Sequence, residues 1–217
     1  TEIDGSISPV SVEGAIKEDD PHHASSRLLC LENTVGGKAV SLEKMKDVSK
    51  TARKNNLSIH LDGARFFNAV TALNCKPEEL ANCADSVSVC LSKGLGTPLG
   101  TVLVGSSKFI RKARRNRKIL GGSMRQVGIV AAAGHYALDN NISRLVEDHY
   151  RAEFFANKLR EMNIGQVDSG TNMVFFTPKD AHADNLRLHL EKYGVKIGDQ
   201  HPSIRMVLHR DVSDEGL

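Results

Sequence analysis

The stretch Asp85-Ser86-Val87-Ser88-Val89-Cys90-Leu91-Ser92-Lys93-Gly94-Leu95-Gly96 decides the fold of this chain. Its first part has the length and the β-branched, apolar composition of a buried strand, predicted over 86–92. Lys93 follows that strand directly, and the glycines after it allow a tight backbone and the close approach of a ligand. Read alone, the motif is more often an ordinary surface lysine in a turn. It is neither a phosphate-binding P-loop nor a dinucleotide fingerprint, because the glycine spacings of both are absent.

Apolar residues on either side of this stretch alternate between strand and helix spacing. Strands are predicted at 27–32, 57–62 and 100–104, and helices at 41–54, 64–73 and 106–119. Strands that alternate with helices of ~10–15 residues indicate βαβ units and a mostly parallel sheet. The fold class is therefore α/β.

The second half of the chain has a different pattern, typical of a smaller α+β domain. Helices are predicted at 126–138, 142–161 and 183–193, and strands at 172–177 and 204–209. Asp139-Asn140-Asn141 interrupts the helical pattern between the two halves. We therefore predict a large domain over 1–138 and a small C-terminal domain over 139–217.

Composition excludes several classes of function. The chain has 217 residues, 40% of them apolar and 25% charged, as in ordinary globular proteins. A net charge of +3 does not indicate a nucleic-acid partner, and no run approaches the roughly 20 apolar residues of a membrane span. The four cysteines form no C-x-x-C pair, which indicates free thiols in a reducing compartment, so a cytoplasmic location is expected. No metal site is predicted. Because the chain begins with Thr1 and shows no signal peptide, it is expected to be a mature product, a trimmed chain or a fragment.

Asp62 comes at the end of a predicted strand, within His60-Leu61-Asp62-Gly63-Ala64-Arg65. The carboxyl ends of strands are where ligands bind in open α/β sheets. In isolation, an Asp-Gly pair at this point is more often a helix cap.

Two arginine-bearing segments are candidates for binding anions. The run Arg111–Lys118 has six basic residues in eight, and Gly121–Gln126 follows it. This run is either a solvated helix face or a binding site for a cofactor phosphate or a neighbouring subunit. A nucleic-acid site is disfavoured, because no aromatic residues lie between the basic ones for bases to stack on. Arg205 is embedded in an apolar strand, where it either binds a carboxylate or lies at a strand edge.

Taken together, these residues describe a site for pyridoxal 5′-phosphate (PLP). That cofactor needs a lysine amine for its aldehyde and an acid opposite its pyridine nitrogen, because the protonated ring draws electrons from the substrate. Lys93 and Asp62, at two nearby strand ends, can supply these groups. Cations are also needed for its phosphate and for the substrate carboxylate.

At this point the sequence resembles the low-specificity L-threonine aldolases, which have the aspartate-aminotransferase-like PLP fold (fold type I). The resemblance covers nearly the whole chain and is most specific around Lys93. The matching stretches are Leu31–Thr34 with Gly36-Gly37, His60–Arg65, Asp85–Gly100, Gly121–Gln126 and Arg205–Val212.

The resemblance implies a role for each site residue. Lys93 would form the Schiff base with PLP, Asp62 would pair with the pyridine nitrogen, and Arg65 would bond on the side of the 3-oxygen. Arg205 would bind the substrate carboxylate. The remaining implied cofactor-binding residues are Ser92, Lys118 and Arg125. The last two are candidates for acting across a subunit interface, since the fold generally assembles as a homodimer or homotetramer.

The chain also departs from the family in two places. The family subunit is longer at its N-terminus, where it carries a phosphate-binding loop and a histidine that stacks on the ring. The family usually has a second histidine directly after Glu-Asn-Thr, whereas Val35 and Gly36 follow Thr34 here. That histidine is a candidate base for the substrate hydroxyl.

The implied activity is aldol cleavage of L-threonine or L-allo-threonine to glycine and acetaldehyde. Two alternatives remain open. One is another fold-type-I PLP reaction, such as β-elimination or transamination, and the other is a non-catalytic fragment or pseudoenzyme.

Overall fold

A computed structural model of the chain describes residues 1–179, 183–198 and 203–217. These residues divide into two compact units, Thr1–Ser143 and Arg144–Leu217. The domain boundary after residue 138 stays a prediction. The helix that contains this residue continues to Asn140, and the first compact unit ends at Ser143.

The first unit alternates helices and strands from its first helix onward. Its elements are α1 (Pro9–Ala15), β1 (Leu28–Glu32), α2 (Leu42–Lys54), β2 (Ser58–Gly63), α3 (Phe66–Leu73), α4 (Pro77–Ala81), β3 (Ser86–Cys90), β4 (Thr101–Gly105), α5 (Ser107–Ile119) and α6 (Gly128–Asn140). The strands form one sheet in the order β1-β2-β3-β4. Because β1, β2 and β3 are parallel and β4 is antiparallel to β3, the sheet is mostly parallel, as predicted.

One face of this sheet is apolar and carries the core of the unit. Period-2 alternation along the strands places Leu31, Ile59, Leu61, Val87 and Val89 on this face, and all are buried. Helices α2 and α3 both contact β2. In α2, Met45, Val48 and Ala52 recur at helical spacing on the buried side, and the Ser41 hydroxyl accepts a hydrogen bond from the Lys44 amide as the predicted N-cap.

The opposite face of the sheet is polar and therefore positions the site. Strand pairing places Glu32, Asp62 and Ser88 in one row across β1, β2 and β3. A second row, two residues earlier, holds Cys30, His60 and Ser86. Both rows point away from the apolar core, because residues of one face recur at every second position.

The second unit is a small α+β structure. Its elements are α7 (Leu145–Met162), β5 (Gly165–Gly170), β6 (Met173–Pro178), α8 (Ala183–Lys192) and β7 (Ile204–Val207), with a 3₁₀ turn at Asp214–Gly216. The strands are antiparallel in the order β5-β6-β7. A core of small and branched side chains from α7, β6 and the segment after β7 holds them together, comprising Ala152, Ala156, Val174 and Leu208.

Most predicted elements are confirmed to within a few residues, but three were missed. β5 has glycine at both ends and only Val167 as a strand-forming apolar residue, so its sequence lacks the usual strand signal. α1 and α4 are short helices that begin at Pro9 and Pro77, and a helix of seven or five residues gives little periodicity to detect. None of the helices in the described part of the chain is long and apolar enough to cross a membrane.

Candidate functional site

Asp62 lies near the carboxyl end of β2, on the polar face of the sheet, with its side chain exposed. One of its carboxylate oxygens accepts a hydrogen bond of 2.9 Å from the amide of Ala64. This bond closes a local turn and is not the helix cap that an Asp-Gly pair suggests, because α3 begins at Phe66 with Arg65 as its N-cap and has no side-chain cap. The next residue, Gly63, packs closely against β3, because a Cβ there would lie 2.6 Å from the carbonyl oxygen of Ser88.

Lys93 lies in a loop that backbone hydrogen bonds hold closed after β3. The amide of Leu91 donates to the carbonyl of Gly100 at 3.0 Å, and the amide of Thr97 donates back to Leu91 at 3.1 Å. The amide of Gly96 donates to the carbonyl of Lys93 at 2.9 Å, closing a turn in which Gly96 has a φ of 73°. A side chain is strained at that φ, which explains the glycine. Lys93 itself is exposed at the head of this turn.

Helix α6 and the residue after it contact the loop that contains Lys93. The side-chain amide of Asn141, a buried residue directly after the helix, donates a hydrogen bond of 2.7 Å to the carbonyl of Leu95. Gly134 lies against Leu91, since a Cβ there would come within 3.2 Å of a Leu91 methyl group. Sequence reasoning treated Asn141 only as part of a helix break. Its sequence carried no signal for this contact, because the partner is a backbone carbonyl 46 residues away.

The structure brings Asp62, Arg65 and Lys93 together around Glu32. Partial burial and then the negative charge of Asp62 raise the pKa of the Glu32 carboxyl above its ordinary value, while the positive charges of Arg65 and Lys93 oppose that shift. All three charged groups are therefore near enough to act on the same carboxyl. Arg65 directly precedes α3, which places its guanidinium at the same end of the sheet as Asp62.

Two sets of hydrogen bonds fix side chains on the polar face of the sheet and in the loop after β1. His60 Nδ1 and Ser86 Oγ lie 2.8 Å apart and share a hydrogen bond between β2 and β3. After β1, the buried side chain of Asn33 both donates to the carbonyl of Val40 at 2.9 Å and accepts from its amide at 3.1 Å. Asn33 thus fixes the loop that follows Glu32. Sequence reasoning quoted Asn33 only within a matching stretch.

The remaining predicted site residues are Ser92, Lys118, Arg125 and Arg205. Ser92 lies just before Lys93, with its hydroxyl 3.6 Å from the thiol of Cys90. Lys118 is in the last turn of α5 and Arg125 follows it, and both are exposed. Arg205 belongs to the second unit, where it is exposed on β7 opposite Phe175. Their roles stay predictions.

The chemistry of the clustered groups fits PLP. An exposed primary amine, a carboxylate and a guanidinium lie at one end of a polar sheet face, where open α/β sheets bind ligands. The amine can bond to an aldehyde, the carboxylate can accept a proton shared with a pyridine nitrogen, and the guanidinium can donate to a ring oxygen.

The sequence of this chain is similar to those of a known protein family. The sequence model of the beta-eliminating lyase family matches residues 1–181. A low specificity L-threonine aldolase from Escherichia coli is 45% identical over 214 residues, covering 99% of this chain and 64% of that protein. The chain therefore spans a little under two thirds of the length of that relative.

Two solved structures share the fold. Leishmania major threonine aldolase aligns with a TM-score of 0.79 at 17% identity, covering 98% of this chain and 64% of that one. Oryza sativa TDC, solved with PLP and tryptamine, aligns with a TM-score of 0.67 at 17% identity, covering 97% of this chain and 49% of that one. The predicted aspartate-aminotransferase-like fold, fold type I, is confirmed. With 181 of its 217 residues matched by the family's sequence model, the chain belongs to the beta-eliminating lyase family.

Proposed function

We propose that this protein is a PLP-dependent threonine aldolase that cleaves L-threonine and L-allo-threonine into glycine and acetaldehyde. One observation carries the proposal: an exposed carboxylate, Asp62, lies near the end of β2, and an exposed amine, Lys93, follows the neighbouring parallel strand β3. The 45% identity to the Escherichia coli threonine aldolase supports this choice of reaction over others in the family.

Each clustered residue has a distinct task in the proposal. When bound, PLP supplies an electron sink for the pair left on the substrate α-carbon. Lys93 would hold the cofactor through its amine. Asp62 keeps the pyridine nitrogen protonated by pairing with it, and Arg65 donates to the 3-oxygen side of the ring. Asn141 ties the loop of Lys93 to the end of α6.

Outlying cations complete the proposed site. Arg205 would bind the substrate carboxylate through its planar guanidinium and so orient the substrate. The cofactor is also bound by Ser92, Lys118 and Arg125. Lys118 and Arg125 reach the cofactor of a neighbouring subunit in a homodimer or homotetramer. Free thiols throughout the described residues are compatible with a cytoplasmic protein.

A second candidate is β-elimination, which the name of the matching family favours. It would use the same three clustered residues but would expel a group from the β-carbon instead of breaking the Cα–Cβ bond. The two reactions leave different products. Elimination releases ammonia and a keto acid, whereas aldol cleavage releases an aldehyde and glycine.

Product analysis separates these candidates. The protein expressed from its own gene should be incubated with PLP and L-threonine or L-allo-threonine, and glycine and acetaldehyde should be quantified beside ammonia and keto acid. We expect glycine and acetaldehyde in equal amounts, their loss in Lys93→Ala, and a large reduction in Asp62→Asn. Lys112→Ala, an exposed lysine in α5, is the matched control and should retain activity. Ammonia and keto acid in place of glycine would favour elimination, and no product from either assay would favour a non-catalytic protein.

A further inference from the structure

Asn33 directly follows β1 and contacts the end of β2 through its backbone. Its amide donates a hydrogen bond of 3.2 Å to the carbonyl of Asp62. This bond extends the parallel ladder by one residue beyond the pairing of Glu32 with Asp62. The backbone of Asp62 is therefore held by Asn33 on the side of β1.

The side chain of Asn33 closes the loop that this residue begins. It donates to the carbonyl of Val40 at 2.9 Å and accepts from the amide of Val40 at 3.1 Å. Because Asn33 is completely buried, water cannot take the place of either partner. Inside the loop, Val35 and Lys38 exchange two backbone hydrogen bonds of 2.9 Å across the Gly36-Gly37 turn. The segment from Asn33 to Val40, called the Asn33 loop below, is thus cross-linked twice.

The Asn33 loop also borders the carboxyl group of Asp62. Val35 and Val40 line a cavity of about 330 Å³ that is lined by Glu32 and Asp62 as well. Apolar side chains of the loop are therefore part of the wall beside this carboxyl group. A closed loop keeps that wall in place, whereas an open loop removes it.

The amide of Ala64 reports where the carboxyl group of Asp62 lies. One oxygen of that group accepts a hydrogen bond of 2.9 Å from this amide, within a turn of three residues. So short a turn depends on the backbone at Asp62, because the carboxyl group and the amide are linked only through it. If the carbonyl of Asp62 moves, the bond to Ala64 should weaken.

We propose that Asn33 is a positioning residue for Asp62. Its side chain closes the Asn33 loop, the closed loop holds the amide of Asn33 on the carbonyl of Asp62, and this bond fixes the carboxyl group of Asp62. The inference rests on the proposed function only where it assigns that carboxyl group to the pyridine nitrogen of PLP. The coupling from Asn33 to Asp62 belongs equally to the cofactor-free protein. Asn33 itself has no contact with cofactor or substrate in this account.

Amide hydrogen exchange in the cofactor-free protein, resolved by residue with NMR, tests the coupling without PLP. Asn33→Ala removes both side-chain bonds, so the amide of Val40 should exchange faster. The coupling predicts that the amide of Ala64 also exchanges faster, by about fivefold or more. Asn33→Ser is a second, milder variant, because its single oxygen replaces two polar atoms, and it should change both amides in the same direction.

Ser49→Ala is the matched control in the same unit. The buried hydroxyl of Ser49 hydrogen-bonds the carbonyls of Met45 and Cys83, so its loss destabilises the unit without touching the Asn33 loop. The amide of Ala64 should keep its exchange rate in this variant. Faster exchange at Val40 alone in the Asn33 variants, or equal acceleration at Ala64 in Ser49→Ala, would overturn the positioning role.

Equilibrium dialysis with PLP tests the consequence for the site. Asn33→Ala and Asn33→Ser should raise the dissociation constant of PLP by about fivefold or more, and Ser49→Ala should leave it unchanged. Unchanged PLP affinity in both Asn33 variants would overturn the inference. An unsubstituted protein that binds no PLP would refute the proposed function instead, and the exchange rate at Ala64 would then decide the coupling by itself.

Discussion

The side chain of Asn141 donates a hydrogen bond of 2.7 Å to the carbonyl of Leu95, two residues after Lys93. This contact ties the end of α6 to the loop that presents the proposed cofactor lysine. Asn141 is only 6% exposed, so neither group can exchange this bond for water. The position of Lys93 thus depends on a residue nearly fifty positions further along the chain.

Replacement of Asn141 should therefore destabilise the protein and loosen the site. Asn141→Ala leaves the carbonyl of Leu95 buried and unpaired, which costs about 1–3 kcal/mol. Chemical denaturation measures the loss, and equilibrium dialysis measures the expected weaker retention of PLP. Asn140→Ala is the neighbouring control, since its side chain bonds the Tyr136 carbonyl at an exposed site and should cost about 0.5 kcal/mol or less. Equal stability of the two variants would contradict the supporting role of Asn141.

Gly63 should not tolerate a methyl group. In Gly63→Ala the new Cβ would meet the Ser88 carbonyl oxygen at 2.6 Å and the Cβ of Phe66 at 2.9 Å, so β2, β3 or α3 must shift. Overpacking of this kind costs about 1–3 kcal/mol and should also displace Asp62. Thermal unfolding measures the first effect and PLP affinity the second. Gly14→Ala in α1 has nothing within 4 Å of the added Cβ and should be neutral or slightly stabilising, so a similar loss there would point to another cause.

The ion pair between Arg144 and Asp148 should contribute strongly to the second unit. The guanidinium donates two hydrogen bonds, of 3.0 and 2.6 Å, to a carboxylate that is fully buried. Asp148→Asn leaves a partly buried cation with only the longer ion pair to Glu147, at 4.0 Å, and we expect a loss of about 3 kcal/mol in the free energy of unfolding. Glu161→Gln breaks the exposed pair with Lys158 and should cost less than about 1 kcal/mol. A loss no larger in Asp148→Asn than in Glu161→Gln would refute this ranking.

The exposed thiol of Cys30 should react faster than the buried thiol of Cys83. Burial raises the pKa of the Cys83 thiol and also blocks access to it, whereas Cys30 is exposed on the polar face. Alkylation needs an accessible thiolate, so near neutral pH Cys30 should react at least about tenfold faster than Cys83. Time-resolved iodoacetamide labelling with peptide mass spectrometry measures both rates. Comparable rates in the native protein would contradict the burial of Cys83 and the exposure of Cys30.

The elements around Lys93 could be predicted from sequence because their signals are local. A run such as Val87–Cys90 has strand composition, and the glycines that follow mark a turn, so the strand and its lysine could be placed without tertiary information. The pairing of Asp62 with Lys93 followed from the rule that ligands bind at carboxyl ends of strands. The clustering of Asp62, Arg65 and Lys93 around Glu32 agrees with that reasoning.

The remaining features depend on contacts distant in sequence, which no local pattern encodes. Glu32 was quoted only as part of a matching stretch, because its nearness to Asp62 arises from the register of β1 against β2. β5 was missed because pairing with β6, and not its own composition, makes it a strand. Arg205 lies on a strand, β7, as predicted, but its exposed position there leaves its role a prediction.

The most direct test of the central claim locates the covalent bond to the cofactor. The protein expressed from its own gene is mixed with PLP, reduced with borohydride to fix the cofactor on the amine that holds it, digested and analysed by mass spectrometry. The account predicts a single phosphopyridoxyl group on Lys93, lost in Lys93→Ala and weakened in Asp62→Asn. A modification on another lysine with Lys93 unmodified, or equal labelling across exposed lysines such as Lys108 and Lys112, would contradict it.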